Sequence, residues 1–248
     1  MSCDRSLGVL FVFCTGLCAS SGASIASAKT LGTPSRSGRP SRTPQAGTER
    51  WAGHQRVEGQ RNLTLLGNIE TRTDSYVLAD VRRDGDRVYL TQRTCRVSIA
   101  KAAGVQASIS DATARRLPPV SIELQRIGDR RYRPASWVSR WDASDHDGDG
   151  EAGVTVTVDA PLCGGSLYVS SVTTTRAMVQ PYADAIEAWV DVMVEQTILD
   201  TSNVCLDLTA SDTVERVTGR VQYVAVDTDA SCESLVRSGW PVTLPEPS

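Results

Sequence analysis

The strongest constraint on the fold is a period of two. In the stretch Ile186-Glu187-Ala188-Trp189-Val190-Asp191-Val192-Met193-Val194-Glu195, one face carries Ile186, Ala188, Val190, Val192 and Val194, continued by Ile198, and the other carries Glu187, Asp191 and Glu195. Successive side chains of a strand point to opposite faces, so this spacing predicts a half-buried strand. A helix can be fitted only through Ile186, Val190, Met193 and Thr197, and the β-branched content favours the strand. The three carboxylates then lie along one solvated face, with nothing beside them to tune them for acid–base work.

The same alternation recurs from Trp51 onward, broken by glycine-containing turns. Tyr76–Val81 and Arg87–Leu90 flank Asp84-Gly85, a pair suited to a type I′ hairpin turn. A second hairpin is predicted at Gly128-Asp129, joining Val120–Leu124 to Tyr132–Val138, and a third at Gly164-Gly165, leading into Leu167-Tyr168-Val169. Val214 to Val226 reads as a long late strand with Gly219 as a bulge. Roughly nine or ten short strands in one domain over residues 50–248 predict an all-β antiparallel up-and-down β-barrel, with a β-sandwich as the alternative. Both phenylalanines, Phe11 and Phe13, precede this domain. Its large core side chains are therefore Trp51, Trp137, Trp141, Trp189 and Trp240, set among Val, Leu and Ile, each ring N–H near a partner or at the rim. An aromatic-lined ligand pocket is the alternative use of the same rings.

The N-terminus points to export. Arg5, the apolar run Leu7 to Leu17 and the small residues Ala26-Ser27-Ala28 have the layout of a secretory signal peptide over residues 1–28. The apolar run is too short to cross a membrane, so no transmembrane segment is predicted. Residues 29–49 are rich in Ser, Thr, Pro, Gly and Arg and cannot bury a core; they read as a disordered linker, either a plain spacer or a tether to an anionic surface. Of seven cysteines, Cys3, Cys14 and Cys18 fall in the signal, leaving Cys95, Cys163, Cys205 and Cys232. An even number in an exported chain predicts two disulfides in a secreted or periplasmic protein. Three connectivities are open, and Cys95–Cys163 with Cys205–Cys232 is favoured because the second would staple the last strands. No C-x-x-C pair occurs, which argues against zinc. The formal net charge of −3 over 248 residues predicts no nucleic-acid partner.

One stretch carries specific chemistry. In Asp142-Ala143-Ser144-Asp145-His146-Asp147-Gly148-Asp149-Gly150-Glu151, Asp145, Asp147 and Asp149 occupy positions 1, 3 and 5 of a D-x-D-x-D-G pattern with Gly150 at position 6, like the first half of an EF-hand loop. The Glu151 carbonyl would be the ligand at position 7. Position 12, a bidentate Glu in the EF-hand, is Val156, and the following residues alternate like a strand. The missing ligand predicts weak calcium binding, around ~10⁻⁴–10⁻³ M, unless a carboxylate such as Asp142 fills the gap. The alternative is a solvated Asp/Gly turn. His146 sits at a non-ligand position and is expected to face water, and His54 is expected at the surface.

The meandering strands resemble the lipocalin/calycin-type barrels, and the D-x-D-G-D-G-x-x-G-x-T element followed by a strand resembles uncharacterised secreted bacterial proteins that carry it. The resemblance implies a barrel that holds a small apolar molecule, with the calcium loop rigidifying one rim. A calcium-stabilised structural or surface-interaction protein without a ligand is the alternative. No nucleophile elbow, H-E-x-x-H or phosphate loop is present, and the chain reads as non-enzymatic. Nothing in the sequence identifies a protein partner.

Overall fold

The computed structural model describes residues 48–63, 67–128, 131–182 and 185–245. The expected signal peptide at 1–28, the linker to residue 47 and Asp129 of the second expected turn lie outside those residues. The chain runs β1 (Glu49–Leu63), β2 (Gly67–Asp84), β3 (Arg87–Ile99), β4 (Gln106–Ser108), α1 (Asp111–Arg116), β5 (Val120–Gln125), β6 (Ala135–Trp141), β7 (Val154–Asp159), β8 (Gly165–Tyr182), β9 (Ala185–Thr201), α2 (Val204–Thr209), β10 (Thr213–Val226) and α3 (Cys232–Ser238).

All named strands belong to one antiparallel sheet, in the order β4-β7-β8-β9-β10-β1-β2-β3-β5, with β6 also on β8. The strands are those the period-two pattern requires, and because they form one curled sheet the fold is barrel-like and a two-sheet sandwich is set aside. Strand β8 has two partners on one side: Gly165–Val169 pair with β7, and Ser171–Ala177 pair with β6. The curl of the sheet brings β5 and β6 together at a single bridge, Arg126–Tyr132. The second expected hairpin forms only at its tip, where Ile127 N–H donates to Arg131 O (2.9 Å) and Arg133 N–H to Gln125 O (2.8 Å); beyond it the regular pairing of β5 is with β3 and that of β6 with β8. The first hairpin forms, but its turn is centred on Gly85-Asp86, one residue later than expected. Only Gly85 has positive φ, as in a type II′ turn.

Strand β9 alternates as read. Ile186, Ala188, Val190, Val192 and Val194 are buried, and Glu187 is exposed. Asp191 is held by Arg216 across the β9–β10 pair, whose side-chain hydrogen bond draws its carboxyl below the usual range. Trp189 is a correction: it shares the outer face of Glu187, is 51% exposed, and lies under the Arg220 guanidinium, 4.0 Å from the ring centroid. Gly219 is also corrected. Register is continuous through Val57–Gly219 and Gly219–Val190, so there is no bulge. The glycine lets β1 approach β10, since a Cβ there would collide with the Arg56 carbonyl oxygen. Gly219→Ala is expected to lower stability by about 1–3 kcal/mol by forcing the two backbones apart. Urea denaturation checks this, and an unchanged midpoint would refute the close-approach role.

Three apolar clusters form. The first lies inside the curl and includes Trp51, Val77, Leu90, Val190, Val217 and Tyr223. The second packs β7, β8, α1 and α2 through Val154, Val156, Leu167, Val169, Leu117 and Leu206. The third is on the outer face, where Ala52, Leu78 and Cys95 of β1–β3 are covered by Ala230, Cys232 and Leu235.

All four cysteines are paired, but as Cys95–Cys232 and Cys163–Cys205, so the favoured connectivity is wrong. The reasons are topological. Helix α3 folds back over the outside of β1–β3 and brings Cys232 onto Cys95. The β8–β9 register sets Leu167 opposite Thr201, so α2 begins beside the β7–β8 turn that carries Cys163.

The segment after α3 is strapped over the same outer face. The Trp240 ring N–H donates to Gly53 O (3.1 Å), Leu244 N–H donates to His54 Nδ1 (2.9 Å), and Arg56 donates to Pro245 O (2.7 Å). His54, expected at the surface, is 0% exposed, stacked on Tyr76, with Nε2 2.7 Å from Asp74 Oδ1. Because Nδ1 accepts from Leu244, the imidazole proton sits on Nε2 and is directed to Asp74.

Candidate metal loop and central cavity

The acidic loop joins the end of β6 to the start of β7. Asp145 winds the loop around its own carboxylate: Oδ1 accepts the N–H groups of Gly148 (2.6 Å) and Asp149 (3.3 Å), and Oδ2 accepts that of Gly150 (3.0 Å). Gly150, at position 6, has φ +94°, a conformation that a Cβ would strain. Asp149 Oδ1 accepts Glu151 N–H at 2.9 Å and its Oδ2 takes the Thr155 hydroxyl. Asp147 Oδ2 accepts Thr155 N–H at 3.0 Å. Two 3.1 Å bonds close the base, from His146 N–H to Gly153 O and from Gly153 N–H to Ser144 O.

This winding gathers one carboxylate oxygen from each of Asp145, Asp147 and Asp149 to within 4.8 Å of one another. The Gly150 N–H, opposed by desolvation and helped by Gly148 and Asp149, holds the Asp145 carboxyl below its usual range, which keeps it anionic. Asp147 is only 6% exposed, and its Oδ1 has no hydrogen-bond partner. A buried carboxylate oxygen without a partner is costly, and hard oxygen ligands at this spacing suit a divalent cation.

Asp142, the expected substitute carboxylate, is not brought in. It turns away, accepting Ser144 N–H at 2.9 Å and lying 3.0 Å from His146 Nε2; the Ser144 N–H is the main reason its carboxyl titrates low. His146 is therefore half-buried beside Asp142 instead of facing water. The Glu151 side chain is exposed and outside the cluster, so any ligand at position 7 is its backbone carbonyl, as expected for that position. Arg116, the last residue of α1, donates to the Asp147 carbonyl oxygen and ties α1 to the loop.

Between the first and second clusters lies a cavity of about 180 Å³. Val57, Val192, Val217, Trp137, Trp141 and Leu117 contribute apolar wall. Two of these connect it to the loop: Trp141 ends β6 immediately before it, and Leu117 follows Arg116. Polar residues complete the wall, among them Gln55, Thr71, Arg72, Thr175 and Gln92; Gln92 Oε1 accepts the hydroxyl of Tyr223, which burial pushes to higher pKa and so keeps protonated.

Sequence reasoning missed a buried polar layer at Ser171 and Gln196. Gln196 is 0% exposed with neither Oε1 nor Nε2 bonded, and Ser171 Oγ is likewise buried without a partner. The signal was present, since Gln196 occupies the inward parity of β9 between Val194 and Ile198. Among the described residues no helix is long and apolar enough to cross a membrane; this and the two disulfides are compatible with an extracellular or periplasmic protein. No protein-family model matches the chain, and comparison with curated proteins and with solved structures finds no match, so a functional reading has to rest on these sites.

Proposed function

We propose that the protein is an exported, non-enzymatic barrel that holds a small apolar molecule between its two interior clusters, with a calcium ion in the 145–155 loop fixing one side of the cavity. The observation that carries this reading is the cavity itself, about 180 Å³ with mostly aliphatic and indole walls. An apolar cavity of about 150 Å³ is enough to take benzene. The calcium part is supported by the unpartnered, buried Oδ1 of Asp147 within the three-carboxylate cluster. The coupling is supported by the Arg116 bond to the loop, because the residue that follows it lines the cavity. A non-catalytic role is supported by His54, whose two ring nitrogens are both engaged in the fold.

Titration with toluene, followed by NMR of valine methyl groups, tests the cavity. Resonances of Val57, Val192 and Val217 are expected to shift together and saturate; no shift at the solubility limit of toluene would end the ligand reading. For the loop, free calcium at about ten times its Kd is expected to add about 1.4 kcal/mol of stability, raising Tm by roughly 3–5 °C. Asp147→Asn is expected to abolish that gain while leaving the calcium-free Tm unchanged or higher, since it removes a poorly solvated charge. An equal calcium effect in both proteins would remove the loop from consideration. A calcium effect without toluene binding would leave a structural protein stabilised by the ion.

A further inference from the structure

The polar pair Ser171 and Gln196 is opposed across β8 and β9 in the interior of the sheet. One inward step along each strand stand Thr173 and Val194, which line the cavity. Inward residues follow one another at roughly 6.6–7 Å along a strand, so the pair lies one layer beyond Thr173 and Val194 and is not itself part of the cavity wall. The pair therefore forms the next layer at one end of the apolar chamber, with one hydroxyl and one amide unanswered. Buried polar groups in native proteins nearly always have partners, and each unmade one costs more than an ordinary hydrogen bond returns. Glu215 faces the same interior, opposite Val194, and takes the Thr71 hydroxyl at 2.7 Å.

Resting on the reading of the cavity as a ligand site, we propose that its natural ligand is amphipathic: a compact apolar body in the chamber and one neutral head, a hydroxyl or amide, hydrogen-bonded to Gln196 and Ser171. The head must both donate and accept, because Gln196 offers Nε2 as donor and Oε1 as acceptor. A carboxylate head is disfavoured because it can accept from Nε2 but cannot donate to Oε1.

The test compares toluene with benzyl alcohol, which share a ring and differ by a hydroxyl. In a dry apolar chamber the alcohol leaves its hydroxyl unpaired and binds more weakly than toluene, by about fivefold to a hundredfold. The wild-type protein is expected to reverse that order, binding benzyl alcohol about tenfold more tightly. Gln196→Leu is expected to restore the preference for toluene, and Ser171→Ala to move the ratio part of the way while changing only one oxygen. Preference for toluene in the wild type overturns the polar-head assignment and leaves the cavity reading intact. A preference for benzyl alcohol that survives both substitutions also overturns it and assigns the layer to bound water. Binding of neither compound overturns this inference together with the cavity reading.

Discussion

Replacing Cys95 and Cys232 together by alanine is expected to cost about 4–5 kcal/mol and to lower Tm by roughly 10–15 °C. The bond spans 137 residues, and in the chain-entropy account a long loop makes a cross-link more effective in restricting the unfolded state. Cys163–Cys205 spans only 42 residues, so its removal is expected to cost about 1 kcal/mol less. Position adds to length. Cys95–Cys232 holds α3 over Ala52 and Leu78, and the strap that follows α3 buries Val242, Leu244 and the His54 ring. The double alanine variant should thus show early hydrogen exchange at Leu244 N–H and loss of Trp240 burial before the barrel unfolds, whereas the other pair should loosen only α2 and the β7–β8 turn. Urea denaturation of both variants, with exchange read residue by residue, checks this. A loss below about 1 kcal/mol for Cys95–Cys232 would mean that apolar packing alone holds the strap.

What could be read from the sequence was local. Strand β9 was readable because every inward residue from Ile186 to Val194 is apolar, and the acidic loop because Asp145, Asp147, Asp149 and Gly150 act within six residues of one another. The same alternation already assigned Trp189 to the outer face, and treating it as core ignored its parity. Features settled by distant segments were not readable. His54 is polar and on the outward parity of β1, so it reads as solvated; it is buried by residues 240–245, about 190 positions away. Cysteine pairing failed for the same reason, since it depends on which side of the sheet the C-terminal segment covers. The β5–β6 hairpin was readable at its turn, but its shortness was not, because how far two strands stay paired in a curled sheet depends on all its strands. Gly219 looked like a bulge because a missing side chain signals space without saying whether a kink or a neighbouring backbone uses it.

Asp74→Asn is expected to destabilise the protein by about 3 kcal/mol at pH 7, and the deficit should shrink as the solution is acidified. Asp74 lies under the strap at the meeting point of His54 Nε2 and Arg56 Nε, both 2.7 Å from Oδ1, with Arg72 3.5 Å from Oδ2. Burial is the largest single influence on its carboxyl and raises the pKa, but the hydrogen bonds and charges of His54 and Arg56 together outweigh it and hold it below the ordinary range. Asparagine keeps the shape and an acceptor for His54 but removes the carboxylate charge that faces the buried Arg56 guanidinium, which is the costly way to break such a pair. The sign with pH follows from the lowered value. A carboxyl whose folded pKa lies below its unfolded value of about 3.9 contributes fully above that value, and the contribution is lost as pH falls through the folded pKa. Below about pH 4 the wild type therefore loses what the asparagine variant never had, and the two stabilities converge. Urea midpoints of both proteins between pH 7 and pH 3 measure the gap; a gap of constant size across that range would show that Asp74 acts as a spacer beneath the strap and its charge contributes nothing.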